Sequence, residues 1–232
     1  MSVADSIEAS ADALVNRSVD AMYENPFWKD RFGTRGESHS REDHRHHIRY
    51  LVEAMRCERP EIVVDYACWL QTLLTARGMC TLHVKESFHR VADAIVAEGL
   101  DPSGEVAPFV AAATGALRYA SGDARDLQDA AAALADAATG AVRDARGGVG
   151  IDDVHYLLAF AADAFARSDD QVFLGYVTWR AGFLARNELP PEALVALVGA
   201  MRDASSSLPR SAHARFTNLT TRALASLQAG QS

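Results

Sequence analysis

Residues 65 to 79 read DYACWLQTLLTARGM, and residues 175 to 189 read GYVTWRAGFLARNEL. Each carries a Tyr with a Trp three positions later, Tyr66 and Trp69 in one and Tyr176 and Trp179 in the other. A Leu and an Arg follow in both, Leu74 and Arg77 against Leu184 and Arg186, with one residue of slippage before the Arg. Residues three and four apart share a helical face, so both stretches predict a helix with an aromatic pair on one side. Upstream, Tyr50-Leu51 pairs with Tyr156-Leu157 if four residues are inserted in the second copy.

Working outward, the 3.6-residue period dominates the chain. Ile7, Leu14, Val15, Val19 and Met22 predict one helix over residues 3–23. Asn25-Pro26 ends it and starts a short turn through Phe32, and Gly33 and Gly36 mark a loop. Ser40 and Asp43 have the form of a capping box opening a helix over 41–57. Pro60 starts the next, to Arg77, with Gly78 as its C-terminal cap, and Thr81 another, closed by Gly99. Alanine-rich stretches after Asp101 predict helices near 103–120 and 124–144. The break Arg146-Gly147-Gly148-Val149-Gly150 precedes four more, near 152–167, 169–186, 190–205 and 210–228. Nothing alternates with a period of two. The expectation is an all-α chain of about ten helices: two diverged five-helix units, residues 1–122 and 123–232, packed as a bundle or as a helical array.

The net charge of -8 argues against nucleic acid, whose binding rests on clustered Lys and Arg. No apolar run reaches about 18 residues, so no segment is expected to span a membrane. MSVADSIEAS has neither the basic nor the apolar region of a signal peptide, which leads to the expectation of a cytoplasmic protein. Cys57, Cys68 and Cys80 lack paired zinc or disulfide spacing and are expected to be reduced and mostly packed.

The halves differ most between residues 37 and 47. That stretch, Glu37-Ser38-His39-Ser40-Arg41-Glu42-Asp43-His44-Arg45-His46-His47, holds four of the eight histidines. The second copy has only Asp152, Asp153 and His155 there, and the asymmetry points to a site in the first half. On a helix Asp43, His47 and Tyr50 fall at i, i+4 and i+7 on one face. His44 instead joins Ile48, Leu51 and Met55, as a packed core histidine or, less commonly, a haem ligand, while His46 points with Arg49 and Glu53 toward solvent. Tyr66 and Trp69 either pack against a neighbouring helix or line a pocket with polar tips on offer.

Two arrangements of the polar cluster follow. In one, Arg35, Asp43 and His47 form a hydrogen-bonded network between loop and helix, able to receive an anionic ligand. In the other, Asp43 and His47 join Glu86-Ser87-Phe88-His89, because bundles build iron and manganese sites from Glu-x-x-His spacings. Against the second, Val84, Phe88, Val91 and Ile95 mark the buried stripe of their helix and leave Glu86 with Arg90 and Asp93 on a solvated face.

The segments Pro26 to Gly36, Arg41 to Leu51 and Val64 to Met79 resemble a small helical module that recurs in bacterial proteins of unassigned function, some of them regulatory. The resemblance covers residues 26–98 and implies that they form a unit; it implies no catalytic residue. GxSxG, Walker, GxGxxG, HExxH and CxxC motifs are missing, so no reaction is named by the sequence. The reading favoured is a non-catalytic, regulatory module that senses a ligand or engages a protein. Its site would be Arg35, Asp43, His47, Tyr50, Tyr66 and Trp69, and its partner a small molecule or a protein. The rival is a helical oxidase or oxygenase with non-haem iron or manganese on Asp43, His47, Glu86 and His89. A homo-oligomer is compatible with both.

Overall fold

The computed structural model describes residues 2–143 and 149–229, over which the chain is α-helical with no strand. Eleven helices form among these residues: α1 Val3–Ala9, α2 Ala11–Tyr23, α3 Pro26–Arg56, α4 Glu61–Thr75, α5 Thr81–Ala97, α6 Ala107–Ala116, α7 Gly122–Arg143, α8 Ile151–Arg167, α9 Gln171–Arg186, α10 Glu192–Ala204 and α11 Arg210–Ala229. A 3₁₀ turn, Ser205–Ser207, follows α10. The expected flexible break at residues 146–150 lies mostly outside the described residues.

Two compact units result: Met1–Met79 with His83–Leu117, and Cys80–Leu82 with Arg118–Ser232. The division falls at residue 117 rather than 122, and Arg118 and Tyr119 hydrogen-bond to Asp129 and Gln128 of α7 in the second unit.

Three local departures from the expected elements have identifiable causes. The first helix is two, broken at Ser10, whose side chain caps nothing and whose backbone leaves the helical region (φ -102, ψ 8). Asn25 and Pro26 start α3 as anticipated, with Asn25 Oδ1 accepting from the Phe27 amide at 3.0 Å. The loop expected at Gly33 and Gly36 shrinks to Gly33 alone, whose φ of 63 and ψ of -166 interrupt the helix before it resumes. Ser40 and Asp43 therefore lie inside a continuing helix and form no capping box.

In the first unit α3 packs on α1, α2, α4 and α6. Its buried face, led by Ile48, Leu51 and Val52, meets Leu70 of α4 and Phe88 and Val91 of α5 in one apolar cluster. Each such Leu, Ile, Val or Phe contributes about 1.5–3 kcal/mol by leaving water. The stripe Val84, Phe88, Val91, Ile95 is buried as its spacing required. Of the cysteines, Cys80 is buried, Cys68 half-buried and Cys57 exposed, so burial does not extend to all three.

In the second unit α7 packs on α8, α10 and α11, and α9 on α8 and α11. Phe160, Phe173, Tyr176 and Phe216 fill its centre. A buried carboxylate, Asp163, accepts from the Thr81 amide (2.7 Å), the Thr81 hydroxyl (2.6 Å) and the Tyr119 phenol (2.6 Å).

Local geometry coincides between the units at positions related by one constant offset in sequence. Glu58 and Ser168 both adopt left-handed backbone, φ 53 and 52. The next amides, Arg59 and Asp169, donate to Ala54 and Ala164 at 2.9 and 3.0 Å, the six-to-one bond of a helix C-terminus. Gly78 and Glu188 repeat the arrangement with φ 85 and 58, and Met79 and Leu189 donate to Leu74 and Leu184 at 3.1 and 2.9 Å. Tyr50 stacks on Tyr66 at 4.1 Å and Phe160 on Tyr176 at 4.1 Å. Tyr66 meets Trp69 at 6.1 Å and Tyr176 meets Trp179 at 5.8 Å, both pairs inclined by 29°. At this offset, which needs no insertion, Tyr50 falls opposite Phe160 rather than the Tyr156 that residue identity suggested.

Candidate ligand pocket

The departure of α3 at Gly33 creates the site. The first turns of α3, carrying Trp28 and Phe32, and the later turns, carrying His39, Asp43 and His46, line one pocket with Tyr66, Trp69, Leu70 and Leu74 of α4 and the following Arg77 and Met79. Its volume is about 400 Å³, within the range of small-molecule sites. Gly36 allows the close approach: a Cβ there would stand 2.3 Å from Cβ of Phe32 and 3.1 Å from the Tyr23 hydroxyl.

Apolar rings make most of the wall. Trp28 packs edge-on against Phe27 and tilts against Phe32 at 5.6 Å, while a fully buried His83 fills the space behind at 5.0 Å from Trp28. Burial pushes the His83 imidazole down to about 3, with the Arg31 charge adding to the effect, so it is neutral at physiological pH. Across the pocket Tyr66 is buried, and Trp69 keeps 58 % of its surface exposed.

Exposed Glu42 and Arg77 line this wall, and Asp43 supplies its half-buried charge. The Asp43 carboxylate is raised above its ordinary value by loss of water, helped by neighbouring Glu42; His46, His39 and Arg77 oppose the rise. Among the described residues no hydrogen bond reaches it. A carboxylate drawn partly out of water without a donor is costly, and a ligand that brings one relieves that cost.

The six sequence-derived ligand residues separate into three positions. Asp43, Tyr66 and Trp69 line the pocket. Tyr50 stacks beneath Tyr66, and His47 is buried behind it. Arg35 is exposed and is not among the lining residues, so the expected Arg35–Asp43–His47 network does not form. His47 instead meets the Tyr66 hydroxyl through Nδ1 (2.8 Å) and the Ser87 hydroxyl through Nε2 (2.9 Å). Ser87 gives its own proton to the Val84 carbonyl at 2.8 Å. It therefore accepts from Nε2–H of His47, which leaves Nδ1 to accept the Tyr66 proton. Burial holds His47 well below its ordinary pKa, with His44 and His46 contributing, so this neutral tautomer is kept.

The alternative metal set is not assembled. Among the described residues no three His, Cys, Asp or Glu side chains are grouped as a metal site. Both nitrogens of His47 are engaged, and His89 is exposed beside Arg90 on the outer face of α5. His44 is a core residue: it stacks on His47 at 5.2 Å and its Nδ1 meets the Ser18 hydroxyl at 2.7 Å.

Trp28, Phe32, Leu70 and Arg77 are wall residues that the spacing arguments passed over. The dense aromatic run Pro26-Phe27-Trp28 to Phe32 was the available signal, hidden because Gly33 carries it off the phase of the rest of α3.

The second unit treats the equivalent carboxylate differently. The offset that pairs Glu58 with Ser168 also pairs Asp43 with Asp153, which is buried and receives Arg180 Nε at 2.6 Å and Nη2 at 3.0 Å. By the same register Arg180 corresponds to Leu70, and its guanidinium lies 4.9 Å from the Phe183 ring. Neither a protein-family model, nor a curated protein, nor a solved structure matches the chain.

Proposed function

We propose that the protein is a non-catalytic, ligand-sensing regulatory module whose first unit binds a small molecule in the pocket between α3 and α4. The observation that carries this reading is the combination in that pocket of aromatic walls, an exposed Trp69 and a half-buried carboxylate without a hydrogen-bond donor. Among the described residues no three His, Cys, Asp or Glu side chains are grouped as metal ligands, which favours ligand binding over metal chemistry. We further infer that both units descend from one duplicated unit, on the strength of the backbone turns and ring stacks shared at one constant sequence offset.

Thermal-shift screening of a metabolite library against the wild-type protein and Trp69→Ala tests the proposal. Trp69 is exposed enough that its truncation leaves folding nearly unchanged. The expected result is a ligand that raises the Tm of the wild type and not of the variant. Stabilisation of both proteins alike, or of neither by any compound, would overturn the assignment of the pocket.

A further inference from the structure

The chain contains its own precedent for what Asp43 binds. In the second unit the equivalent carboxylate, Asp153, is satisfied by a two-pronged guanidinium, Arg180, donated from the helix equivalent to α4 and flanked by Phe183. In the first unit the residue at the position of Arg180 is Leu70, which is buried and carries neither charge nor donor. Asp43 consequently faces a pocket of about 400 Å³ where Asp153 faces an arginine. The space and the missing donor are at the same place in the fold.

We propose that the first unit's pocket takes a small monocationic guanidinium compound with an apolar body. Its guanidinium seats on the Asp43 carboxylate as Arg180 seats on Asp153, and its body lies among Trp28, Phe32, Tyr66 and Trp69. The aromatic walls favour such an occupant twice, by burying its apolar part and by attracting a weakly hydrated planar cation to their ring faces. Arg77 is exposed at the same wall, so it remains in water and does not compete for the carboxylate, to which it makes no ion pair. The inference rests on the pocket reading above and names its ligand class.

Isothermal titration with three probes of one shape tests it: benzylguanidinium, the neutral benzylurea, and benzyltrimethylammonium, a cation without N–H donors. Benzylguanidinium is expected to bind at least tenfold more tightly than either of the others, and Asp43→Asn to abolish the difference. Leu70→Arg is expected to block the probe by supplying an internal guanidinium; Asp43→Asn, on a partly exposed helix face, keeps the test decisive if that variant fails to fold. Equal binding of benzylurea, tighter binding of benzyltrimethylammonium, indifference to Asp43→Asn, or no saturable binding of benzylguanidinium would each overturn the guanidinium assignment. The pocket itself fails separately, only if no library compound gives the Trp69-dependent thermal shift.

Discussion

The Tyr66 hydroxyl donates to Nδ1 of His47 across 2.8 Å, and this bond ties the pocket wall to the core behind it. His47 is stacked on Phe88 at 4.6 Å and holds Ser87 with its other nitrogen, so its role is to fix Tyr66 and not to touch a ligand. His47→Leu, which places at this position the residue found at 157, leaves the Tyr66 hydroxyl and the Ser87 acceptor unpaired and is expected to cost about 1–3 kcal/mol. In a double-mutant cycle with Tyr66→Phe the two costs should be non-additive by about 1 kcal/mol, read from urea unfolding. Additive losses would show that the bond contributes nothing.

Acid should unfold the first unit through its buried histidines. Burial depresses His44 to about 4, His83 to about 3, and His47 well below the ordinary 6.5. The unfolded chain takes up these protons first, so their contribution is fully present above pH 6.5 and is lost as the pH falls through 6 and 5 toward 4. Each histidine adds up to about 1.4 kcal/mol of destabilisation per pH unit in that window. The urea midpoint followed from pH 7 to pH 4.5 measures the slope, and His83→Phe should reduce it. A midpoint that is flat to pH 5 would contradict the buried neutral state.

The helices were largely legible because an apolar stripe such as Val84, Phe88, Val91, Ile95 repeats with the helical period and needs only a neighbour to bury it. Caps with a local chemical signature, Asn25-Pro26 and Gly78, were legible for the same reason. The site was half legible. Asp43, Tyr66 and Trp69 share a pocket because their own helices set their faces, but Trp28 and Phe32 reach it only through one dihedral pair at Gly33, which no periodicity reports. His47 was misassigned because a histidine on the same helix face as an acid looks like its partner, whereas Tyr66 and Ser87 come from α4 and α5.

Arg180 and Asp153 form a pair that cannot lose one member cheaply. Arg180→Ala strands a buried carboxylate and is expected to destabilise the second unit by about 3–5 kcal/mol. Adding methylguanidinium should recover part of the lost Tm, by refilling the place of the side chain. Equal concentrations of methylurea should not. Absence of a differential effect between the two would show that the charge of Arg180 is dispensable.

Glu188 holds with a carboxylate side chain the left-handed turn that Gly78 holds without one. A non-glycine residue there costs about 1 kcal/mol in steric strain. Glu188→Gly is expected to stabilise the second unit by up to about 1 kcal/mol in chemical denaturation, whereas Gly78→Glu should destabilise the first by a similar amount.

Gly33 gives the pocket the mechanics of a clasp. In an unbroken α-helix Trp28 and Asp43, fifteen residues apart, would stand about 22 Å from each other along the axis and could share no small ligand. One left-handed residue folds that length back, so the two jaws are a single stretch of chain and their gap is set by a single hinge. Substitution at Gly33 would widen or close the bite while every residue that touches the ligand stayed the same, and selection acting on one position is thereby able to retune what the protein grips.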